Sequence, residues 1–373
     1  DYRWESDRLT IDRLAVGAFG GRISASGVLE RLTGTPVLRG EVHAAGVNLA
    51  RIPQHLLGTQ GLPDLTGNAA LAVKFRGSLP ALALDAELEI SKGTVDRFAF
   101  ETAQIYLGGD RRRLAGRLYL TENGGKLIAT GSFSPETGAF QGDVLVRKLR
   151  IDPRWLPGEA AALNGLVNGS LLIEGNLRER ETITGDGWFE VHDLTYHGQE
   201  LGILKLRGIG RNGQFWLADS FLLTKAGRLT LGGKLDLRRS PAYELEIDGE
   251  QILLADLWRF IPNRPVLDPD GLAGIKLAVS GWEKPKLQGE ITLTGLALNG
   301  QYLGQGKTGI SWEGDLIQLH GLSLAAGRGM LRADGRLRLD GAMDLRVETE
   351  NFALQLLEPV IGQYFDDRGL LGK

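Results

Sequence analysis

The chain has 373 residues, 43 basic against 46 acidic for a net charge of −3, with 42% hydrophobic content, 53 glycines and no cysteine. The hydrophobic content excludes a disordered chain, and the missing cysteines exclude disulfides, a thiolate zinc site and a cysteine nucleophile. The near-balanced charge excludes a bulk electrostatic pull toward nucleic acid or anionic lipid, while glycine runs at about twice the roughly 7% of an ordinary soluble protein.

The chain opens on Asp1-Tyr2-Arg3-Trp4, without an initiator Met, a basic n-region or an apolar h-region, and stops in mid-pattern at Gly369-Leu370-Leu371-Gly372-Lys373. A segment cut from a longer protein is therefore expected. No apolar run approaches the roughly 18 residues of a membrane-spanning helix.

Most of the sequence alternates with period two, which predicts strands with one apolar and one polar face. From Leu82 to Ile90, Leu82, Leu84, Ala86, Leu88 and Ile90 point one way while Asp85, Glu87 and Glu89 point the other. From Arg228 to Arg238, Leu229, Leu231, Leu235 and Leu237 alternate with charged residues and a threonine. From Leu331 to Asp340, Leu331, Ala333, Leu337 and Leu339 oppose Arg332, Asp334, Arg336 and Arg338, and Met343, Leu345 and Val347 resume the pattern. One-faced strands of this kind belong to antiparallel sheets. Turn signals punctuate them at Asn123-Gly124-Gly125, Asn212-Gly213, Asn299-Gly300, Glu313-Gly314-Asp315 and Asp340-Gly341. Other glycines sit inside strands, at Gly116, Gly131, Gly233, Gly289 and Gly335, where a bulge, a bend or an absent side chain is expected.

A longer period overlies the strands. Short helical segments at Leu49–Leu57, Ile151–Pro157, Leu254–Pro262 and Leu354–Ile361 recur about every hundred residues, and the first three precede Gly-led strands beginning near Leu65, Leu163 and Leu272. This divides the chain into a partial β repeat (1–48), three β repeats (49–150, 151–253 and 254–353) and the start of another (354–373). About four short helical segments cannot cover the apolar faces of more than twenty strands. A six-residue strand presents roughly 100 Å² of face, so about six uncovered strands already reach the top of the ~300–600 Å² range for the largest patch on a typical monomer. Three arrangements compete: separate β-sandwiches of about 100 residues, a dry β-solenoid, and a long sheet curled into a trough with an apolar interior. The inward residues are chiefly Leu, Ala and Gly rather than β-branched, and the strand spacing varies, which favours the trough.

The run from Leu272 to Leu298, with Gly274, Gly281, Pro285, Leu287, Gly289 and Ile291, followed by Gly327 to Leu339, resembles the AsmA-like superfamily, most closely its TamB branch. Leu65 to Ile90, and Gly165 to Gly175 with Gly227 to Leu237, repeat the pattern. The resemblance covers nearly the whole chain through a Leu/Gly pattern without an invariant motif. It implies an elongated all-β structure, a β-taco, in the periplasm of a diderm bacterium, anchored in the inner membrane in the full-length protein. It also implies a role in phospholipid transport and outer-membrane biogenesis, with inner- and outer-membrane protein partners that include a TamA-like one.

The expectation is an elongated antiparallel repeat sheet with a few short helical turns, a conduit that holds phospholipid acyl chains without a cofactor, metal, nucleic acid or catalytic residue. The lining candidates are Leu71, Val73 and Phe75, then Leu84, Leu88 and Ile90, then Leu118 and Leu120. Further along they are Leu229 and Leu231, Leu277 and Val279, Ile291 and Leu293, Leu337 and Leu339, and Leu345 and Val347. The alternatives are a scaffold that pairs an edge strand with nascent outer-membrane β-barrels, and an array of binding sandwiches.

Other motifs carry less. Gly208-Ile209-Gly210-Arg211-Asn212-Gly213 matches the dinucleotide fingerprint, but Gln214–Ala218 after it reads as a strand, not the helix a pyrophosphate needs. His192 and His197 are spaced to face opposite sides of a regular strand, which argues against a metal pair. Arg111-Arg112-Arg113 and Arg178-Glu179-Arg180-Glu181 read as solvated hairpin tips or as contacts to lipid headgroups or a partner at the trough rim.

Overall fold

A computed structural model describes residues 1–52, 64–78, 81–96, 98–151, 162–238, 242–259, 268–281, 286–338 and 343–352. Alternating sequence produces alternating burial: in the strand Ala83–Val95, Leu84, Ala86, Leu88 and Ile90 are covered while Asp85, Glu87 and Glu89 are exposed. The chain is all-β, one 22-stranded antiparallel sheet that is not closed into a barrel, in keeping with the curled trough. Because the strands share one sheet, separate hundred-residue sandwiches are not what forms.

The chain divides into two compact units, Asp1–His192 with Gly210–Gly213, and Asp193–Ile209 with Gln214–Lys373. The first holds β1 (Tyr2–Glu5), β2 (Arg8–Ala18), β3 (Gly21–Glu30), β4 (Val37–Asn48), β5 (Leu65–Ser78), β6 (Ala83–Val95), β7 (Phe98–Gly109), β8 (Leu114–Glu122), β9 (Gly125–Phe133), β10 (Ala139–Arg150), β11 (Leu163–Asn176) and most of β12 (Glu179–Tyr196). The second holds most of β13 (Gln199–Arg211), then β14 (Gln214–Leu223), β15 (Arg228–Asp236), β16 (Ala242–Leu253), the helix α1 (Leu254–Trp258), β17 (Pro269–Ser280), β18 (Lys286–Leu298), β19 (Gln301–Glu313), β20 (Leu316–Ala326), β21 (Gly329–Arg338) and β22 (Met343–Glu350). A 3-10 turn at Leu49–Arg51 precedes the six strands β5–β10; six more, β11–β16, precede α1, and β17–β22 follow it. The remaining parts of the junction segments, at 53–57, 152–157, 260–262 and 354–361, and the turn signal Asp340-Gly341 lie outside the described residues.

The Asn-Gly signals act as anticipated. Asn123-Gly124, Asn212-Gly213 and Asn299-Gly300 all have positive φ at both residues, the type I′ geometry that matches strand twist. Since Asn212-Gly213 closes the β13–β14 hairpin and β14 follows, the apparent dinucleotide fingerprint is strand and turn.

The bulges fall elsewhere than the in-strand glycines suggested. A single residue in the left-handed conformation stands at or beyond the middle of every second strand from β4 to β20, β8 excepted: Gly46, Lys92, Lys148, Asp193, Asp219, Gln251, Gly295 and Gly321. Register shifts accompany several of them, at Ala44/Val47, Val146/Leu149, Leu217/Ser220, Gly249/Ile252, Leu293/Leu296 and Leu319/Leu322. Each extra residue bends its strand and raises the local twist. Alternate strands run in the same direction, so the bulges within a unit gather at one edge of its sheet and curl that edge.

The residue after the bulge is turned into the core. Val47, Leu149, Leu194, Ser220, Ile252 and Leu296 all directly follow or lie next to a left-handed residue and are buried, Ile252 completely. Left-handed backbone costs a non-Gly residue about 1–2 kcal/mol, and more if it is β-branched. Gln251→Gly is therefore expected to leave stability within about 0.5 kcal/mol of the parent, because glycine's unfolded-state entropy offsets the relief. Gln251→Val is expected to lose about 2 kcal/mol, which urea denaturation of the two variants side by side would resolve.

Ser220 and Thr308 are the buried polar side chains among the described residues, and Ser220 is fully covered on the apolar face. Its Oγ accepts the backbone N–H of Arg207 at 2.9 Å and lies 3.3 Å from the carbonyl of Ala218, to which it can donate. The hydroxyl thus gives the Arg207 amide of β13 an acceptor beside the Asp219 bulge. Ser220→Ala leaves the Arg207 amide without that acceptor and is expected to cost about 1–3 kcal/mol, read as a lower urea midpoint at unchanged slope.

Candidate apolar groove

Cross-strand register, which sequence alone does not give, places the apolar residues in rows perpendicular to the strands. In the first unit one row runs Val16, Ile23, Ala44, Leu71, Leu88, Ile105, Leu118, Ala129, Val144, Leu171, each directly opposite the next from β2 to β11. Ten strands at ~4.8 Å spacing make this an apolar stripe of about 40 Å along the sheet. Val16 is 52% exposed and the other nine are half-buried, so no second layer seals the row.

The neighbouring row toward the bulged edge is closed. Val47, Ala69, Ile90, Ala103, Leu120 and Val146 are buried, Ile90 to 1% exposure, and Leu127 completes the row between Leu120 and Val146. Phe100 joins this cluster, and Leu49 of the 3-10 turn packs on it. Leu49 therefore lies against the curled edge, and the buried row makes a floor from which the half-buried rows rise. Of the predicted lining residues, Ile90 and Leu120 belong to this floor; Leu71, Val73, Phe75, Leu84, Leu88 and Leu118 form the accessible wall, with Phe75 opposite Leu84 and Leu71 opposite Leu88.

The second unit repeats the arrangement. Leu231, Ile247, Leu277, Gly289, Ile310, Leu319, Gly335 and Leu345 form one row from β15 to β22, half-buried until Leu345, which is exposed. Its floor is Ile252, Ala273, Leu293, Gly306, Leu324 and Leu331. Leu254 and Leu257 of α1 pack beside Ile252 and Ala273, and Leu254 also meets the cluster of Leu296, Leu303 and Leu324. Leu229, Val279 and Ile291 are half-buried on the same face, and Leu337 and Val347 are exposed on it, Val347 to 50%. Leu339 lies outside the described residues.

The lining candidates omitted Val16, Ile23, Ala44, Ile105, Ala129, Val144, Leu171, Ile247, Ile310 and Leu319, which extend the rows. Alternation marks most of them, but in Leu171-Leu172 and Ile128-Ala129 adjacent apolar residues leave the inward position undefined until register is known.

The opposite face is polar and charge-paired across strands. Lys234 meets Glu244 at 3.0 Å, Lys286 meets Glu313 at 2.8 Å and Lys307 meets Glu290 at 2.6 Å, all exposed pairs of small energetic weight. Glu87, in register with Tyr106, pushes that phenol upward by charge repulsion. A shallow hollow of about 670 Å³ on this face is bordered by Lys74, Asp85, Glu87 and Arg117 and is too charged to hold a hydrocarbon chain. At the end of β15, Asp236 is held far below the usual carboxylate range by its hydrogen bonds from the Arg238 side chain and amide. A depressed carboxylate contributes above its unfolded pKa of about 3.9 and loses that contribution as pH falls through the lower folded value.

His192 pairs with Glu190 at 3.5 Å, and His197 sits in the β12–β13 turn with its ring edge-on to Tyr196. Among the described residues no cluster of three or more metal-ligating side chains occurs, and no helix is long and apolar enough to cross a membrane.

No family model, curated protein or solved structure matches this chain. The rows themselves thus supply the functional evidence. They offer a continuous, non-directional apolar surface, accessible from solvent, with a charged back and a closed floor.

Proposed function

We propose that the chain is a hydrophobic conduit that carries phospholipid, with acyl chains against the apolar rows and headgroups in water. The observation that carries this is the uninterrupted row from Val16 to Leu171, half-buried from Ile23 onward, because a sheet face of that length left unsealed needs an apolar occupant. Each CH₂ removed from water contributes ~0.8 kcal/mol, and a surface that offers the same environment strand after strand lets a chain move along it at nearly constant free energy. The aliphatic lining of Leu, Ile, Val and Ala, with glycine at Gly289 and Gly335, suits a disordered chain better than a rigid ligand, since it offers area without directional hydrogen bonds. Periplasmic movement of phospholipid between the two membranes of a diderm bacterium is the setting in which we place it.

Mass spectrometry of lipid that co-purifies with the chain tests the proposal. Diacyl phospholipid in amounts comparable to protein is expected, and its depletion by detergent should not unfold the sheet. Lipid-free protein that also fails to take up added phospholipid would contradict it, and capture of unfolded outer-membrane barrel protein instead would favour a scaffold.

A further inference from the structure

On the polar face of the first unit, register sets Lys74, Asp85, Gly108 and Ala115 in one row across β5 to β8, and Glu87, Tyr106 and Arg117 in the next across β6 to β8. The small residues of the first row leave a hollow of about 670 Å³ between the larger side chains, within the roughly 300–1,000 Å³ of small-molecule sites. On the polar face of the second unit, opposite charges on paired strands close on each other, as Lys234 does on Glu244 and Lys286 on Glu313. Around this hollow they stay apart. Lys74 stands between Glu41 and Asp85 in the register and forms an ion pair with neither. Asp85 leans over the floor instead, with Oδ1 2.9 Å from where a Cβ on Gly108 would lie. Arg117 lies over the Tyr119 ring, 5.7 Å from its centre, and Tyr119 meets Tyr106 edge-on. Glu87 lies against the Tyr106 hydroxyl, and a carboxylate that accepts one phenol keeps lone pairs for another donor.

Two carboxylates on β6 and a guanidinium on β8 therefore border one hollow from two strands apart, about 10 Å at the backbone, with Tyr106 between them. Charges of both signs held apart in this way match a ligand that carries both. We propose that the hollow binds a small zwitterion, with its ammonium on Asp85 and Glu87 beside the Tyr106 ring and its anionic group on Arg117. Carboxylates and an aromatic face both attract an ammonium. The guanidinium, which is held by no carboxylate, takes a phosphate or carboxylate through two parallel N–H donors. Reaching both ends requires an ammonium and an anion joined by a short chain, as in phosphoethanolamine, and a neutral sugar would leave the charges unmatched. The site lies on the face away from the apolar rows and does not depend on the conduit.

The test titrates the full chain at low ionic strength with phosphoethanolamine, ethanolamine, inorganic phosphate and glucose, by calorimetry. Phosphoethanolamine is expected to bind about tenfold more tightly than ethanolamine or phosphate, and glucose not to bind. Arg117→Gln is expected to remove the preference over ethanolamine, and Asp85→Asn with Glu87→Gln the preference over phosphate. Glu89→Gln, on the same strand but outside the hollow, should change affinity less than twofold. All four positions are exposed, and if a variant still disturbs the sheet, amide shifts of the parent keep the test open: phosphoethanolamine should move signals from β5 to β8 and not those of the second unit. Displacement of phosphoethanolamine by phosphatidylethanolamine vesicles, but not by phosphatidylglycerol vesicles, would support the site with a lipid headgroup as its ligand; no displacement by either would support it with a soluble one. Ethanolamine, phosphate or glucose binding as tightly as phosphoethanolamine would overturn the zwitterion site, as would the absence of binding by every probe.

Discussion

Ile291→Asp is expected to abolish lipid loading in the second unit while the protein still folds. Ile291 lies directly opposite Ile275 and Thr308 on the apolar face and is half-buried, so a carboxylate there can keep part of its hydration shell in the empty protein. An acyl chain crossing that position must strip the remaining water without offering a hydrogen bond in return. Leaving a polar group unpaired in this way costs at least about 2 kcal/mol, or some thirtyfold in occupancy. Thr292→Asp, one residue along and exposed on the polar face, is the matched control and is expected to load lipid as the parent does. Equal loading by both variants, with the circular dichroism of the parent, would remove the apolar rows from any role in lipid binding.

Gly304→Ala is expected to be among the most damaging single changes to the fold. Gly304 lies in β19 with φ of +98°, and a Cβ built there would lie 1.8 Å from the carbonyl oxygen of Ala325 on the neighbouring strand β20. Neither backbone can retreat easily, because β18 and β20 pair with β19 on its two sides and Leu303, beside Gly304, is 1% exposed. A forbidden φ together with a backbone clash in a closed floor puts the loss at about 4 kcal/mol or more, which lowers Tm by about 8–16 °C in a unit of this size. Gly314→Asn makes the contrast. It also has positive φ, at 64°, but a Cβ there meets nothing within 4 Å, so a loss of about 1 kcal/mol or less is expected. Differential scanning calorimetry of the two variants separates steric closure from turn preference. Similar losses in both would mean that the β19–β20 approach is not a fixed feature of the fold.

The strands and their two faces were legible in the sequence because side-chain direction has a period of two and the charges fall on one phase of it, as in Asp85, Glu87 and Glu89 of β6. The I′ turns were legible wherever Asn-Gly supplied the chemistry; Phe19-Gly20 and His197-Gly198 make the same turn without that signature. The curl was not legible. Its source is a one-residue slip of the alternation, as in Ile90-Ser91-Lys92-Gly93 and Val146-Arg147-Lys148-Leu149, and Lys, Asp and Gln occupy left-handed positions that composition assigns to glycine. Of the in-strand glycines singled out, Gly289 and Gly335 stand on the apolar rows, where neighbouring backbone approaches too closely for a side chain, with Lys276 O 2.0 Å from a Cβ at 289 and Asp344 O 2.4 Å from one at 335. The groove residues were partly legible for a related reason. Face is a local property that alternation carries, but depth depends on which rows the bulges and the described parts of the junctions cover. That is why Ile90 and Leu120 close the floor while Leu88 and Leu118, two residues away in each strand, remain accessible.

A photo-crosslinking scan along β6 in lipid-replete cells, one residue at a time from Leu84 to Glu89, would show whether the open rows hold acyl chains. Capture of phospholipid at Leu84, Ala86 and Leu88, with none at Asp85, Glu87 and Glu89, is the expected result, because only the first set faces the groove. Lipid capture without that two-residue period, or none at any position in protein that retains its sheet, would contradict the conduit.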